Sequence, residues 1–334
     1  MKVQFLGTAA GKPSNHRNVT SIAVIMEDSE FSLVDCGEAT QHQLMKTSLK
    51  VTKLKEIYIT HLHGDHIFGL HGLLCSLNEV RTESLNIYGP KGLKSYIDPI
   101  RSFVYNYNLH IHEFNKGYEH SVISRVSSGN YEYVVQLAFV SHGVLCFAYK
   151  ITQVRKKHQL DMKRFFPHMD IYRDEIGELG FSPPIKIIDT LKNNIKVTMN
   201  DGFVFNFENY QVKENDVSLI IALDNYDSRK MQFYFRDCDV LIHECTYSCF
   251  PSYSDEEVKE TYKLAASHYH TTNRHAVERA NKLSANTLIL THFSNRYSFD
   301  DEPLIIEDTK KHSSIADITV ECARDFSEFC ICSK

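Results

Sequence analysis

Four side chains that can bind a metal ion occur within six consecutive residues of this 334-residue sequence. The segment reads HLHGDH at 61–66, and its candidate ligands are His61, His63, Asp65 and His66. It follows a short β-branched run, so His61 and His63 share one side of an extended chain. Gly64 permits a sharp turn, after which Asp65 and His66 can face a neighbouring position. The segment predicts a loop that supplies two adjacent metal ions, and a polar loop that is rich in histidine by chance is the alternative.

A centre with two metal ions needs more ligands than one short segment contains. Three further candidates each follow a predicted strand: His142 after 136–140, Asp224 after 220–223 and His292 after 288–291. A histidine after a strand is usually an ordinary loop residue, but the three together with HLHGDH favour a common site. Because the ligands are imidazoles and carboxylates, we expect zinc, with manganese or iron as alternatives. Such a centre can activate a water molecule for hydrolysis near neutral pH.

The composition excludes several classes of protein. Hydrophobic residues make up 43% and charged residues 24% of the chain, which is typical of a globular protein that buries a core. The formal net charge of −5 argues against a protein that coats nucleic acid non-specifically. The nine cysteines have no regular spacing, so we expect free thiols in a reducing compartment. With no signal peptide and no apolar run of membrane-spanning length, the expected location is the cytoplasm.

Strand and helix patterns alternate in the first and last thirds of the chain, and the middle is richer in strands. Apolar patterns predict a strand at 131–140 and helices at about 39–49, 254–266 and 272–282. This arrangement favours two packed sheets with helices outside. Residues 153–184 are basic, aromatic and terminated by proline, which predicts an insertion that projects from the core. An ordinary surface helix followed by a loop is the alternative reading of that segment.

Seven segments spread over nearly the whole chain resemble a known family. They are FLGTAAGKPSNHRN at 5–18, DCGEATQHQL at 35–44, THLHGDHIFGLHGLL at 60–74, FVSHGVLCFAYKI at 139–151, IHECTY at 242–247, YHTT at 269–272 and LTHFSNRY at 290–297. The metal motif alone is typical of the metallo-β-lactamase superfamily. The joint presence of DCGEATQ, HECTY, HTT and THFSNRY is similar to ribonuclease Z, the family of tRNA 3′-processing endoribonucleases. The resemblance implies an α/β fold, an αββα sandwich of two mixed sheets, in one domain at 1–334 with a projecting arm at about 153–184.

The resemblance also implies a place for each ligand. One metal ion would be held by His61, His63 and His142, the other by Asp65, His66 and His292, and Asp224 would bridge them. Asp224 lies in Leu223-Asp224-Asn225, where the family usually has Gly-Asp-Thr. The turn around Asp224 must therefore differ, and Asp227 is the nearest substitute.

Three residues are implied to assist catalysis: Asp65, Glu244 and His270. Asp65 would orient the attacking water, and Glu244 would lie near His270. We expect His270 to give a proton to the leaving 3′-oxygen. The hydroxyl of Thr271 or Thr272 would cap the following helix and so hold His270 in place. His268 is the alternative proton donor.

The family activity implies that the chain cleaves tRNA precursors as a homodimer. The residues expected to bind this RNA are Arg155, Lys156, Lys157, Lys163, Arg164 and Arg296. Phe165, Phe166 and Tyr172 would stack on exposed bases or pack the arm. The arm lacks a clear glycine–proline signature, which is a departure from the short members of the family.

Two other functions stay open on the sequence alone. One is a phosphodiesterase of the same fold that acts on a small molecule or another RNA. The arm distinguishes a small-molecule enzyme from a tRNA endonuclease, because a small substrate needs no RNA-binding arm. The other is a non-catalytic RNA-binding protein that keeps its metals for structure. The presence of all seven ligands argues against the second, since a structural zinc site favours a closed shell of four ligands, often with cysteine.

Overall fold

The computed structural model describes residues 1–104, 106–119, 121–156, 160–212 and 215–332. The chain forms two compact units, one of Met1–Val154 with Asp216–Lys334 and one of Arg155–Asn215. Each unit has its own apolar core.

The described strands and helices alternate along the chain. The strands are β1 (Lys2–Gly7), β2 (Ser21–Ile25), β3 (Phe31–Val34), β4 (Leu54–Tyr58), β5 (Leu85–Pro90), β6 (Leu109–Phe114), β7 (Val122–Ser128), β8 (Tyr131–Val140), β9 (Cys146–Arg155), β10 (Val197–Thr198), β11 (Val204–Phe205), β12 (Val217–Ala222), β13 (Val240–Glu244), β14 (Thr287–Thr291), β15 (Thr319–Cys322) and β16 (Glu328–Cys330). The helices are α1 (Thr40–Leu44), α2 (Gly64–Ile67), α3 (Leu70–Leu77), α4 (Leu93–Ile97), α5 (Met162–Ile171), α6 (Arg173–Glu178), α7 (Ile187–Lys192), α8 (Phe207–Tyr210), α9 (Met231–Tyr234), α10 (Asp255–Ser267), α11 (Asn273–Lys282) and α12 (Glu302–Lys311). Among these described helices, none is both long enough and apolar enough to cross a membrane.

Most predicted elements agree with the structure, and one helix is shorter than predicted. The strand at 131–140 is β8, and the helices at 254–266 and 272–282 are α10 and α11. The helix predicted at 39–49 ends at Leu44 instead. The hydroxyl of Thr47 donates to the carbonyl of Leu44 (2.8 Å) and accepts from the amide of Leu49 (3.1 Å). These side-chain bonds replace the next helical turn, which is how threonine competes with a helix.

Fourteen strands of the first unit build two mixed sheets of seven strands each. The strand orders are β16-β1-β2-β3-β4-β5-β6 and β15-β14-β13-β12-β9-β8-β7. Strands β3 to β6 are parallel to one another, and so are β12 to β15. Since parallel strands end on the same edge of a sheet, loops that follow them lie side by side.

Alternating side chains divide the first unit into three apolar clusters. Phe147 and Tyr149 of β9 belong to a cluster that joins the two sheets. Cys146 and Ala148, which point the other way, pack with residues of α11 and α12. On the opposite side, Leu33 of β3 packs with the helix α3 through Leu70, Leu73, Leu74 and Leu77. Helices therefore cover both outer faces, and the predicted αββα sandwich is confirmed.

The unit Arg155–Asn215 is built around buried aromatic rings. Phe165 of α5 and Phe205 of β11 are fully buried, and Tyr210 of α8 meets Phe165 edge-on with 5.2 Å between ring centroids. Asp161 caps α5 by accepting hydrogen bonds from two amides of its first turn. The predicted arm shares residues 155–184 with this unit, and its function stays a prediction.

Two loops at the edge of the first sheet are in direct backbone contact. Gly69 donates its amide to the carbonyl of Cys36 (2.9 Å), and Cys36 donates its own amide to the carbonyl of His66 (2.8 Å). A Cβ atom at Gly69 would lie 2.0 Å from the carbonyl oxygen of Gly37. The missing side chain thus lets the HLHGDH loop lie against the loop that follows β3.

We expect Gly69→Ala to lower the free energy of unfolding by about 1–3 kcal/mol, because the new methyl group would force the two loops apart. Gly177→Ala in α6 is the matched control, since a Cβ atom there meets nothing within 4 Å. That control should leave stability unchanged or raise it by about 0.4–1 kcal/mol. Chemical denaturation measures both, and equal stabilities of the two variants would contradict the prediction.

Candidate metal centre

The predicted ligands lie where strands of the two sheets end. His61 follows β4, His142 follows β8, Asp224 follows β12 and His292 follows β14. The structure brings all seven together in two groups that share Asp224. The groups are His61, His63, His142 and Asp224, and Asp65, His66, Asp224 and His292. Within each group, one ligand atom of every residue lies within 4.8 Å of the others.

The first group combines three imidazoles with one carboxylate oxygen. Nε2 of His61 lies 3.0 Å from Nδ1 of His63, and Nε2 of His142 lies 3.2 Å from that same nitrogen. Oδ2 of Asp224 is 3.7 Å from Nε2 of both His61 and His142. Nitrogen and carboxylate ligands of this number are typical of zinc and related metals.

The second group combines two imidazoles with two carboxylates. Nε2 of His66 and Nε2 of His292 are 3.3 Å apart. Oδ2 of Asp65 is 3.4 Å from both nitrogens, and Oδ1 of Asp224 is 3.2 Å and 3.0 Å from them. Asp65 is also fixed by the amide of Gly11, which donates to it at 2.8 Å.

Asp224 presents one carboxylate oxygen to each group, as a bridging ligand would. Its Oδ1 is buried and has no hydrogen-bond partner in the described structure, although two imidazole nitrogens lie near it. Asn225 holds the turn: its amide donates to Glu244 (2.6 Å) and its side chain to the carbonyl of Leu223 (2.9 Å). The possible substitute Asp227 pairs with Arg229 (2.8 Å) and belongs to neither group. The sequence Leu-Asp-Asn therefore keeps the aspartate in the expected place.

Two ligands of the first sheet are oriented by Asp35, which follows β3. Thr60 donates its hydroxyl to Asp35 (2.7 Å), so its oxygen accepts a hydrogen bond from Nδ1 of His61 (3.0 Å). Nδ1 of His66 donates directly to Asp35 (2.6 Å). With Nδ1 bonded in each case, the lone pair of Nε2 faces the site, which is the usual arrangement behind metal-binding histidines.

The ligands of the second sheet are oriented in the same way. Nδ1 of His142 donates to the carbonyl of Tyr269 (2.9 Å). Thr246 donates its hydroxyl to Glu244 (2.6 Å) and accepts from Nδ1 of His292 (2.9 Å). Nε2 of both histidines therefore also carries a lone pair that points into the site.

Lone pairs and carboxylate oxygens that face one another repel unless a cation lies between them. Burial lowers the pKa of His61 well below its ordinary value and lowers that of His142 as well, so neutral imidazoles face the first group. Burial acts the same way on His66, but the carboxylates of Asp224 and Asp35 outweigh it and raise the pKa of His66. The donor set fits two metal ions, and their binding would displace protons.

Glu244 and His270 form a pair beside the two groups. Glu244 is buried, and each of its carboxylate oxygens lies 3.2 Å from Nδ1 of His270. Burial alone would lower the pKa of His270, but the Glu244 carboxylate outweighs burial and raises it to about 9. The ring of His270 is 5.4 Å from that of His142 and 5.6 Å from that of His292. A protonated imidazole therefore lies next to the proposed ligands at neutral pH.

The alternative donor, His268, is placed differently. It is exposed, and its Nδ1 bonds to the carbonyl of Leu264 (3.0 Å). The predicted hydroxyl cap is wrong for both threonines. Oγ1 of Thr271 is buried and has no hydrogen-bond partner among the described residues, and Thr272 precedes α11 without a side-chain capping bond and bonds to His275 instead (2.9 Å). The position of His270 depends on Glu244 rather than on a helix cap.

Sequence reasoning assigned no role to Asp35 and Thr246, although both bond to proposed ligands in the structure. Asp35 accepts the amide of Thr60 (2.7 Å) in addition to its two bonds described above, and Thr246 joins Glu244 to His292. Both follow a strand inside segments that match the family, DCGEATQ and HECTY. That placement was the available signal, since side chains just beyond parallel strands meet at one edge.

The predicted RNA-binding residues occur in both units. In the smaller unit, Arg155 is half-buried and the exposed ones are Lys156, Lys163 and Arg164, while Lys157 lies outside the described residues. Phe166 is exposed, whereas Phe165 is buried and so packs its own unit. In the larger unit, Arg296 stacks on the ring of Tyr247 at 4.6 Å.

Known proteins resemble this chain in sequence and in structure. Ribonuclease Z of Bacillus subtilis (strain 168) is 34% identical over 307 residues, which cover 90% of each chain. Human tRNase Z, short form, superimposes with a TM-score of 0.62 at 24% identity over 99% of each chain. The metallo-β-lactamase fold protein YhfI from Bacillus subtilis gives 0.60 at 17% identity over 98% of each chain. The family model of the anti-Pycsar protein Apyc1 matches residues 1–133.

We expect Asp35→Asn to weaken the binding of divalent metal by about 10- to 100-fold, because His66 and Thr60 lose the carboxylate that orients them. Asp227→Asn is the matched control, since that carboxylate bonds to Arg229 outside both ligand groups. Competition with a chromogenic chelator measures the affinity of each variant. Equal affinity in Asp35→Asn and Asp227→Asn would contradict the prediction.

Proposed function

The chain belongs to the ribonuclease Z family, and we propose on that basis that it hydrolyses a phosphodiester at the 3′ end of tRNA precursors and so removes the 3′ trailer. The observation that carries this proposal is the pair of ligand groups joined by Asp224. Their composition fits a dinuclear hydrolytic centre. His270 adds the proton source that an alkoxide leaving group needs.

In the proposed mechanism, His61, His63 and His142 would hold one metal ion, Asp65, His66 and His292 would hold the other, and Asp224 would contribute to both groups. Metal ions bound there would supply a nucleophile derived from water near neutral pH and would offset the charge of the phosphate. Asp65 accepts a hydrogen bond from the attacking water. His270 gives its proton to the leaving 3′-oxygen, and Glu244 keeps that proton on His270 beforehand. The products are a tRNA with a 3′-hydroxyl and a trailer with a 5′-phosphate.

We propose zinc as the metal, with manganese or iron as alternatives, because five histidines and two aspartates form the ligand set. Protein purified without added metal should contain about two equivalents per chain, one for each ligand group, and Asp224→Ala should lose both or retain one. Elemental analysis of both proteins is the measurement. About one equivalent in the natural protein, together with no loss in Asp224→Ala, would contradict the dinuclear centre.

We further propose that the chain acts as a homodimer in the cytoplasm. Resemblance to the family supports the dimer. The free thiols of all nine cysteines support a reducing compartment. Light scattering of the purified protein tests the dimer directly.

The decisive experiment compares a 3′-extended tRNA precursor with a small chromogenic phosphodiester. We expect cleavage of the precursor at a single position, with kcat/KM well above that for the small diester. His63→Ala, which removes a proposed ligand, controls for contaminating nucleases. Hydrolysis of the small diester without cleavage of the precursor would refute the tRNA assignment.

A phosphodiesterase that acts on a small molecule or another RNA is the second candidate. The charge of the smaller unit favours it, since residues 155–215 contain ten lysines and arginines but also nine aspartates and glutamates. A unit with so little net charge is a weaker RNA-binding arm than its basic beginning suggests. The same comparison of substrates separates the two candidates.

We expect His270→Ala to slow cleavage of the precursor by about 10²- to 10⁴-fold, the usual loss for a general acid. Metal content and substrate affinity should stay nearly unchanged. A diester with a nitrophenolate leaving group needs no proton, so the variant should regain much of its rate there. His268→Ala is the control and should retain activity. Equal slowing of His270→Ala on both substrates, or loss of metal, would contradict the role of proton donor.

We expect the double variant Lys163→Gln, Arg164→Gln to cleave precursor tRNA more slowly, with a weaker dependence on salt, because two phosphate contacts are lost. Lys186→Gln, Lys192→Gln is the matched control, since these exposed lysines belong to the same unit outside its basic first part. Hydrolysis of the small diester should be unchanged in both. If the two double variants behave alike on the precursor, the basic beginning of the unit has no special role in binding.

A further inference from the structure

Two tyrosines beside the metal centre leave much of their rings in solvent. Tyr226 follows Asp224 by two residues and is 44% exposed, and Tyr269 precedes His270 and is 50% exposed. Their ring centroids are 5.7 Å apart in an edge-to-face arrangement. Neither hydroxyl has a hydrogen-bond partner among the residues that the structure describes. In contrast, His61, His142 and Asp224 of the adjoining group are buried or half-buried.

Both tyrosines are tied to the loop that contains the proposed ligand His142. Tyr226 donates its amide to the carbonyl of Ser141 (2.9 Å), and Ser141 donates its own to the carbonyl of Asp227 (3.0 Å). The carbonyl of Tyr269 accepts the hydrogen bond from Nδ1 of His142 (2.9 Å). The backbone of both tyrosines is therefore bonded directly to residues of the His142 loop, while the rings are open to solvent.

Tyr269 has a backbone conformation that a large side chain rarely adopts. Its φ is +61°, in the left-handed region that disfavours residues with a Cβ atom. A Cβ atom at Gly143 would lie 3.3 Å from the Tyr269 ring, so the ring covers the loop directly after His142. The left-handed turn closes helix α10, because the amide of Tyr269 donates to the carbonyl of Ala266 (3.0 Å) and the amide of His270 donates to that of Ala265 (2.9 Å). The end of this helix therefore places the ring beside His142, with 6.3 Å between the two ring centroids.

We propose that Tyr226 and Tyr269 form a stacking platform for the unpaired nucleobase that adjoins the scissile phosphate. The inference rests on the proposed function, since the phosphate must lie at the two ligand groups for hydrolysis. The ring centroid of Tyr269 is 6.3 Å from that of His142, so a nucleobase attached to that phosphate would lie beside the two tyrosines. Unpaired RNA bases are commonly bound on aromatic faces, and such stacking tolerates any base because every base has a π-face. The platform positions the RNA chain without reading its sequence.

The test combines variants that lack one tyrosine ring with RNA substrates that lack one nucleobase next to the scissile phosphate. Tyr226→Ala and Tyr269→Ala are assayed on the normal 3′-extended precursor and on precursors with an abasic nucleotide on the 5′ or the 3′ side of the scissile phosphate. We expect each variant to lose about 5- to 100-fold in kcat/KM on the normal precursor. On the precursor that lacks the stacked base, the kcat/KM of the wild-type protein should fall by a similar factor. The kcat/KM of the alanine variants should fall little further than it does on the normal precursor. Tyr226→Phe and Tyr269→Phe keep the ring and should behave like wild type.

The outcomes separate this inference from the proposed function. Cleavage of the normal precursor by wild type tests the function alone and is read first. Equal losses of the alanine variants on normal and both abasic precursors would overturn the platform, and so would the absence of any loss. Metal content of each variant is measured on the same samples, and loss of metal in both alanine variants, with no base-dependent loss, would assign the tyrosines to support of His142 instead.

Discussion

The buried carboxylate of Asp224 is the feature on which the rest of the structure depends. It lies among imidazole nitrogens from both sheets, and a buried charge without a compensating partner is strongly unfavourable. Cations bound by the two groups would relieve this cost and would also hold together the strand ends that supply the proposed ligands. The strands that end there are all interior strands of their sheets, so their positions are fixed on both sides.

The grouping of the proposed ligands was predictable because the information that specifies it is local. HLHGDH places four donors within one turn after a strand, and His142, Asp224 and His292 each come directly after an apolar run. Parallel strands end at a common edge, so a donor after each strand implies a common site. The αββα sandwich follows from the same alternation of strands and helices. Asp224 was the doubtful ligand, and Asn225 explains why its unusual turn is tolerated, since its amide and side chain hold both sides of the turn.

Features that depend on distant partners were beyond the sequence. Asp35 lies 31 residues from His66, which it orients, and no local pattern links them. The helix predicted to extend to 49 ends earlier because the hydroxyl of Thr47 bonds to backbone groups of Leu44 and Leu49. The spacing of apolar residues does not predict such side-chain bonds. The smaller unit continues past 184 because apolar residues near 205–210 complete its core, although the basic stretch that drew attention to it ends earlier. The predicted cap by Thr271 or Thr272 is wrong for the same reason, since the carboxylate of Glu244, which is distant in sequence, bonds to His270.

Both sheets orient a proposed ligand through the same chain of a carboxylate, a threonine and a histidine, but the second histidine on each carboxylate has a different role. In each sheet a carboxylate accepts the hydroxyl of a threonine, and that threonine accepts the Nδ1 proton of a proposed ligand: Asp35 and Thr60 serve His61, and Glu244 and Thr246 serve His292. Each carboxylate also bonds a second histidine directly. Asp35 does so with His66, whose Nε2 faces the shared aspartate, whereas Glu244 does so with His270, which is proposed to bind no metal. The pKa of each of these two histidines is raised, that of His66 by Asp224 and Asp35 and that of His270 by Glu244. Of the two, His66 shares its ligand group with Asp224, whereas His270 is grouped with Glu244 and His292.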